Sequence, residues 1–378
     1  MSSNLASRWP GDSSAPNSSF QEEDEVKLKP LSVRSPSEIL SFKFDPSDSL
    51  LPNGYLMKGN PLSLVGMGGI GKSRVVMQLA IHCIIGKPFF GWETNARGQK
   101  WLILQTENSN RRLQADLRRM TDSCNPSESR ILDECLRIHT IENDDDTFVS
   151  LGNSETHSRI RDILTDFPAN VIVYDVLRDF GIGDLNSDQD MSETCRAIGR
   201  ISRKGDPSRI PLVVHHALSG KSGAGRATGF DRSSFGRNSK VLQGWVRAQI
   251  NLAPYSPDSN ELIVVASGKA NDAIEFEPFV VRLDPKTMTY EPDDTVSMAQ
   301  WRESVAGEKK QAPVATITDV VQVVSDTESK GINKADIVKA ILKETGCSKA
   351  TAYRQIELAE KAKAIFRRES DKLYVVTP

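Results

Sequence analysis

From Leu62 onward, short apolar runs alternate with segments in which apolar residues return every three or four positions. The runs Leu62 to Val65, Lys100 to Gln105, Val171 to Tyr174, Pro211 to His215 and Leu262 to Ala266 are largely continuous, as strands buried on both faces require. Helical spacing between them predicts helices over 73–85, 111–122, 154–166 and 191–204. This alternation predicts an α/β domain over residues 35–301, a parallel sheet with helices on both faces.

Outside that domain the pattern changes. Residues 1–34 are rich in Ser, Pro, Asn and acidic groups with few apolar positions, which predicts a disordered arm. The stretch Ser219 to Asn238 is dense in Gly, Ser and Arg, and predicts a loop that packs no core and is either flexible or ordered by a ligand. Residues 302–313 have linker composition. From Val314 the apolar spacing turns helical (Val320, Val321, Val323, Val324, then Ile337, Val338, Ile341, Leu342), and Ser348 is placed to cap a third helix. Two short alternating runs, 364–368 and 372–376, flank a polar turn and predict a hairpin.

Composition narrows the function classes. Hydrophobic content of 38%, charged content of 26% and a net charge of -2 are those of an ordinary globular protein, so any nucleic-acid surface must be local. No apolar run approaches the length of a membrane span and residues 1–24 lack a basic segment followed by an apolar one, so a cytoplasmic protein with no membrane partner is expected. The five cysteines show no C-x-x-C pairing and read as reduced thiols, mostly buried.

Candidate chemistry begins where the first strand should meet the first helix. Residues 66–73 read Gly-Met-Gly-Gly-Ile-Gly-Lys-Ser, a full G-x-x-x-x-G-K-[ST] match. Glycines let several backbone N–H groups approach a phosphate, and the helix start adds a favourable dipole. Gly66, Gly68, Gly69, Gly71, Lys72, Ser73 and Arg74 are the predicted nucleotide-binding set, with Lys72 on the β- and γ-phosphates and Ser73 on Mg2+. Hydrolysis needs a second acid and a water-positioning group. The strand ending in Asp175 offers the first, unless that residue caps a helix, and the strand leading to Glu107 offers the second, unless Glu107 is a solvated loop residue. A third strand ends in His215 and His216, one expected inward and one outward; either reports on the γ-phosphate or is a satisfied structural histidine.

Taken in this order, GMGGIGKS, Glu107, Asp175 and His215-His216 resemble the RecA-like ATPases, and within them the RepA-type hexameric replicative helicases, over about 50–284. The resemblance implies an α/β RecA-like P-loop core, ATP and Mg2+ as ligands, Glu107 activating water, Asp175 as the Walker B acid, and His216 (or His215) coupling nucleotide state to a DNA-facing loop. It also implies a ring, expected to be a hexamer, with an arginine from the neighbouring subunit at the γ-phosphate. Arg237 is the first candidate and Arg247 the second, with Lys269 as a further residue reaching across. The loop carrying Lys221, Arg226 and Arg232 would track single-stranded DNA, although only Phe230 and Phe235 are available there for stacking. The C-terminal pattern resembles a helix-turn-helix with a wing, a small α+β domain over 314–378. Lys349, Thr351, Tyr353 and Arg354 on its second helix, with Arg367 and Arg368 on the wing, would contact duplex DNA, or the module would dock a replication-protein partner. The implied function is an ATP-driven DNA helicase of a mobile element. The alternatives are a nucleotide-switched DNA-binding regulator or loader, and a filament-forming recombinase.

Overall fold

The computed structural model describes residues 31–51, 54–95, 97–147, 149–306, 315–327 and 330–377. The contacts divide the chain into one unit ending at Asp45 and another beginning at Pro46. In the first, helix α1 (Pro36–Leu40) starts at a reciprocal cap, in which Ser35 accepts from the Glu38 N–H and Glu38 accepts from the Ser35 N–H. The predicted arm of residues 1–34 lies almost entirely outside the described residues.

The second unit is built on a nine-stranded sheet. Strand β1 (Leu62–Gly66) leads into α2 (Lys72–Ile85), β2 (Trp101–Gln105), α3 (Asn110–Thr121), α4 (Pro126–Cys135) and β3 (Leu136–Ile138). Then follow α5 (Ser154–Asp166), β4 (Val171–Asp175), α6 (Leu177–Phe180), α7 (Asp188–Arg203) and β5 (Ile210–His216). The remainder comprises α8 (Gly220–Gly225), α9 (Val241–Trp245), β6 (Ala248–Ser256), β7 (Ser259–Ala270), β8 (Phe279–Leu283), β9 (Tyr290–Pro292) and α10 (Met298–Ala306). The strand order is β3-β2-β4-β5-β1-β6-β7-β8-β9. Strands β3 to β6 in that order pair in parallel, whereas β7, β8 and β9 join antiparallel, including the run at Leu262 to Ala266 expected in a parallel sheet. The order and the mixed α/β layering fit a RecA-like P-loop core.

The two-residue period of the strands sorts side chains between two layers. Trp101, Ile103, Val171, Val173, Leu212 and Val214 pack with α2, α3 and α4, while Leu102, Leu104, Ile172, Tyr174 and Val213 pack with α5 and α7. Helix α2 is buried around most of its circumference, and its Gln78 amide both donates to the Tyr290 carbonyl and accepts from the Tyr290 N–H, at 2.9 and 2.8 Å, tying β9 to the helix. Strand β6 escaped the sequence pattern because two of its inward positions are polar. Asn251 donates to the carbonyls of Ala227 and Arg232, and Gln249 to those of Arg232 and Ser233, pegging the following loop to the sheet.

Two expectations are corrected here. The Gly- and Arg-rich stretch does pack a core: Ala224, Ala227 and Phe235 are buried with Val65, Val264 and Trp301, and α8 forms within it. Small residues make this possible, since a Cβ at Gly223 would sit 2.5 Å from the Leu218 carbonyl oxygen. The predicted linker is helical up to Ala306 because Trp301, 1% exposed, anchors α10, its indole donating to the Pro254 carbonyl at 3.0 Å. Residues 307–314 lie outside the described residues.

Residues 315–377 form their own cluster. Helices α11 (Ile317–Ser325), α12 (Lys334–Thr345) and α13 (Lys349–Lys361) and the antiparallel pair β10 (Ile365–Arg367) and β11 (Tyr374–Val376) bury Val320, Ile337, Ile341, Ile356 and Tyr374 together. Ser348 caps α13 as its position suggested, accepting from the Thr351 N–H at 3.1 Å.

Candidate active site

Parallel register brings four strand ends to one edge of the sheet. Gly66 lies opposite His216, and Gln105 opposite Asp175. Sharp turning follows β1: Gly69 and Gly71 have φ of +73° and +91°, which only glycine adopts without strain. At Gly71 a Cβ would also collide with the Tyr290 hydroxyl, which donates to the Ile70 carbonyl at 3.3 Å. Gly68 has no such restriction and nothing lies within 4 Å of where its Cβ would be, so its smallness leaves open space over the backbone. Because Gly71 supplies no side-chain cap, the first-turn N–H groups of α2 remain available to an anion.

Lys72 is buried beneath this loop, 7% exposed. Its ammonium donates to the Met67 carbonyl at 2.9 Å and lies 3.3 Å from Nδ1 of His216. Burial holds it below the ordinary lysine pKa, opposed by Asp175 and Glu107 and reinforced by Arg237. Asp175 is 4% exposed, and burial pushes its carboxyl up to about 6 against a hydrogen bond from Ser73. A hydroxyl and a carboxylate that is costly to ionise where it sits are a fitting hard-oxygen donor pair for Mg2+.

Glu107 stands just past β2, its side chain about half exposed, with Oε1 3.9 Å from both Nε2 of His216 and Nη2 of Arg178. His216 therefore lies between the lysine and the glutamate. Burial, then the charge of Lys72, lowers its pKa to about 4, so at neutral pH its Nδ1 is free to accept from Lys72. His215 is fully buried and donates from Nε2 to the Arg237 carbonyl at 2.9 Å, while its Nδ1 has no partner. Together with the Arg237 N–H donating to the His216 carbonyl at 2.9 Å, this fastens the segment 236–238 to the end of β5.

Several predicted residues are elsewhere or already engaged. The Arg237 side chain is exposed at the rim of its own chain's site, near enough to influence Lys72 and His216. Arg247 lies at the other end of β1, its N–H donating to the Pro61 carbonyl at 2.8 Å. Lys269 donates to the carbonyls of Gln243 and Val246 and closes α9. Arg74 points sideways to Asp116 at 3.1 Å. Arg232 is committed to both Glu275 oxygens at 2.7 and 2.8 Å, which corrects its expected availability to a phosphate; Lys221 and Arg226 are exposed. On the C-terminal cluster Lys349, Tyr353, Arg354 and Arg367 are exposed, Thr351 is drawn into the Ser348 cap, and Arg368 is paired with Asp371 and the Lys330 carbonyl.

Sequence reasoning missed Arg178, Asp179 and Tyr290. Thr106 donates to Asp179 at 2.6 Å and Arg178 holds Asp179 at 3.0 Å, so this pair fixes the turn bearing Glu107. Their place three and four residues beyond Asp175 was the available signal. Tyr290, on β9, carried none.

Comparison with known proteins agrees with this arrangement. The family model described as an AAA domain matches residues 22–224, more than half the chain. No curated protein matches. Solved structures with a similar fold include a KaiC-like protein of the hyperthermophilic archaeon Pyrococcus horikoshii OT3, at 12% identity and a TM-score of 0.41 over 65% of this chain and 94% of that one. Another, an ATPase domain solved by itself, is similar at 12% identity and a TM-score of 0.45, over 62% of this chain and 85% of that one. With a complete phosphate loop on β1 and a buried acid on β4 inside the matched region, the chain belongs to the AAA domain family of P-loop ATPases.

Proposed function

We propose that the protein is an ATP-driven motor on single-stranded DNA, a ring-forming relative of the RepA-type replicative helicases, hydrolysing ATP at this strand edge. The observation that carries the reading is the meeting of Lys72, Asp175, Glu107 and His216 on four parallel strand ends. Lys72 and the α2 amino end bind the phosphates, and Glu107, open to solvent, orients the attacking water and takes its proton. Mg2+, held by Ser73 and Asp175, would neutralise charge on the phosphate oxygens. When the γ-phosphate leaves, Lys72 is released toward Met67 and His216. That shift passes through β5 to the segment at 236–238 and to the loop bearing Lys221 and Arg226, the candidate strand contacts. We read residues 314–378 as a winged helix whose Lys349, Tyr353, Arg354 and Arg367 meet duplex DNA or a replication protein.

Replacing Lys72→Ala is expected to abolish ATP turnover in a phosphate-release assay; hydrolysis at the wild-type rate would end the motor reading. The exposed basic residues of the C-terminal cluster also favour a second reading, a nucleotide-switched DNA-binding regulator or loader. ATP-dependent strand release from a forked substrate supports the helicase, and ATP-dependent binding without release supports the switch.

A further inference from the structure

A second anion-seeking surface lies away from the phosphate loop. The inward face of α7 carries Met191, Thr194, Cys195, Ala197, Ile198 and Ile201 into the core, which leaves Arg196, Arg200 and Arg203 in a row on its outer side. That row lines an open cleft of about 710 Å³ whose other wall is Trp245 at the end of α9. Gly199 lies beside the indole, where even a Cβ would stand 3.9 Å from the ring, so no side chain covers its flank. Arg247 follows Trp245 directly, and Lys269 secures the carbonyls that end α9.

These cations are gathered without neutralisation. Among the described residues none of Arg196, Arg200, Arg203 and Arg247 forms an ion pair, although Glu193 lines the cleft one turn before Arg196. Nε of Arg203 is buried with no hydrogen-bond partner. Burial, and then the nearby charge of Arg247, holds Arg203 and Lys269 below their ordinary pKa values. In a chain of net charge -2 such crowding needs a reason. The row extends roughly 10 Å along the helix axis, seven residues at about 1.5 Å each, which suits consecutive phosphates better than one compact anion. The aromatic wall beside it suits a base.

We propose that this cleft is a second site for single-stranded nucleic acid, in which the α7 arginines take successive phosphates and Trp245 stacks a base. The site stands at the amino edge of the sheet, about 16 Å of strand from the phosphate loop, and adds to the strand-binding reading a surface outside the loop at 219–234. The test uses the full chain, a short oligothymidine and tryptophan fluorescence, with Trp245→Phe assigning the signal and pyrophosphate as the compact-anion probe. Removing both exposed cations in Arg196→Ala with Arg200→Ala is expected to weaken oligonucleotide binding at least tenfold at low salt. It should also flatten the slope of log affinity against log salt by about 1.4. Unchanged affinity and slope in that variant would overturn the proposal, as would pyrophosphate changing the Trp245 signal as strongly as the oligonucleotide. Lys72→Ala, run in parallel, keeps the cleft intact, so strand binding that survives there separates this site from the fate of the ATPase reading.

Discussion

His215 and His216 are neighbours in sequence with different work. His216 faces Lys72 and Glu107, whereas His215 turns into the core and holds the Arg237 carbonyl. Burial lowers the His215 pKa from 6.5 to about 4, so between those values the unfolded chain binds a proton that the native state refuses. Stability contributed by the neutral ring is therefore complete above pH 6.5 and lost as pH falls, roughly 2 kcal/mol by pH 5, with His216 adding a loss of the same sign. Replacing His215→Gln keeps an N–H near the Arg237 carbonyl without the titration. Urea melts at pH 7 and pH 5 should show a smaller acid loss in the variant than in the wild type, by about 2 kcal/mol; equal losses would contradict the assignment.

At the scale of elements, α10 decides whether the loop at 219–238 is a structured device or a loose strap. Trp301 fills the space over Ala224 and Ala227, and Val305 lies over Gly225. Replacing Trp301→Ala is expected to cost roughly 3 to 5 kcal/mol where the protein still folds. The same change should speed tryptic cleavage after Lys221 and Arg226, both exposed, more than cleavage elsewhere. Cleavage there at the wild-type rate would mean that the buried pegs Asn251 and Gln249 hold the loop without α10.

For the whole molecule, the open question is which arginine serves a neighbour. Arg237 lies at the rim of its own site and Arg247 beyond the opposite end of β1, so a ring would present them to different places. Mixing Lys72→Ala subunits with Arg237→Ala subunits restores part of the ATPase activity if Arg237 acts on a neighbour, because some interfaces then pair an intact lysine with an intact arginine. No recovery in that mixture, but recovery in the mixture with Arg247→Ala, assigns the role to Arg247. Failure of both mixtures argues against a shared site.

Much of this was legible in order along the chain. The phosphate loop, the strands ending near Glu107 and at Asp175 and His216, and the Ser348 cap are local patterns, set by a two- or four-residue period and by glycine's freedom in φ, and they emerged where the pattern placed them. What the sequence could not decide is pairing. Gln249 and Asn251 read as polar until the loop they anchor is folded over them, and Arg232 reads as free until Glu275, 43 residues later, arrives beside it. Likewise the arginines of α7 become a site only when α9 brings Trp245 against them. Local sequence fixes the conformation of a turn or a helix face, because that depends on sterics within a few residues. Which charges are neutralised, which polar groups are buried and which surfaces face one another depends on segments far apart in the chain, and only the tertiary structure decided those.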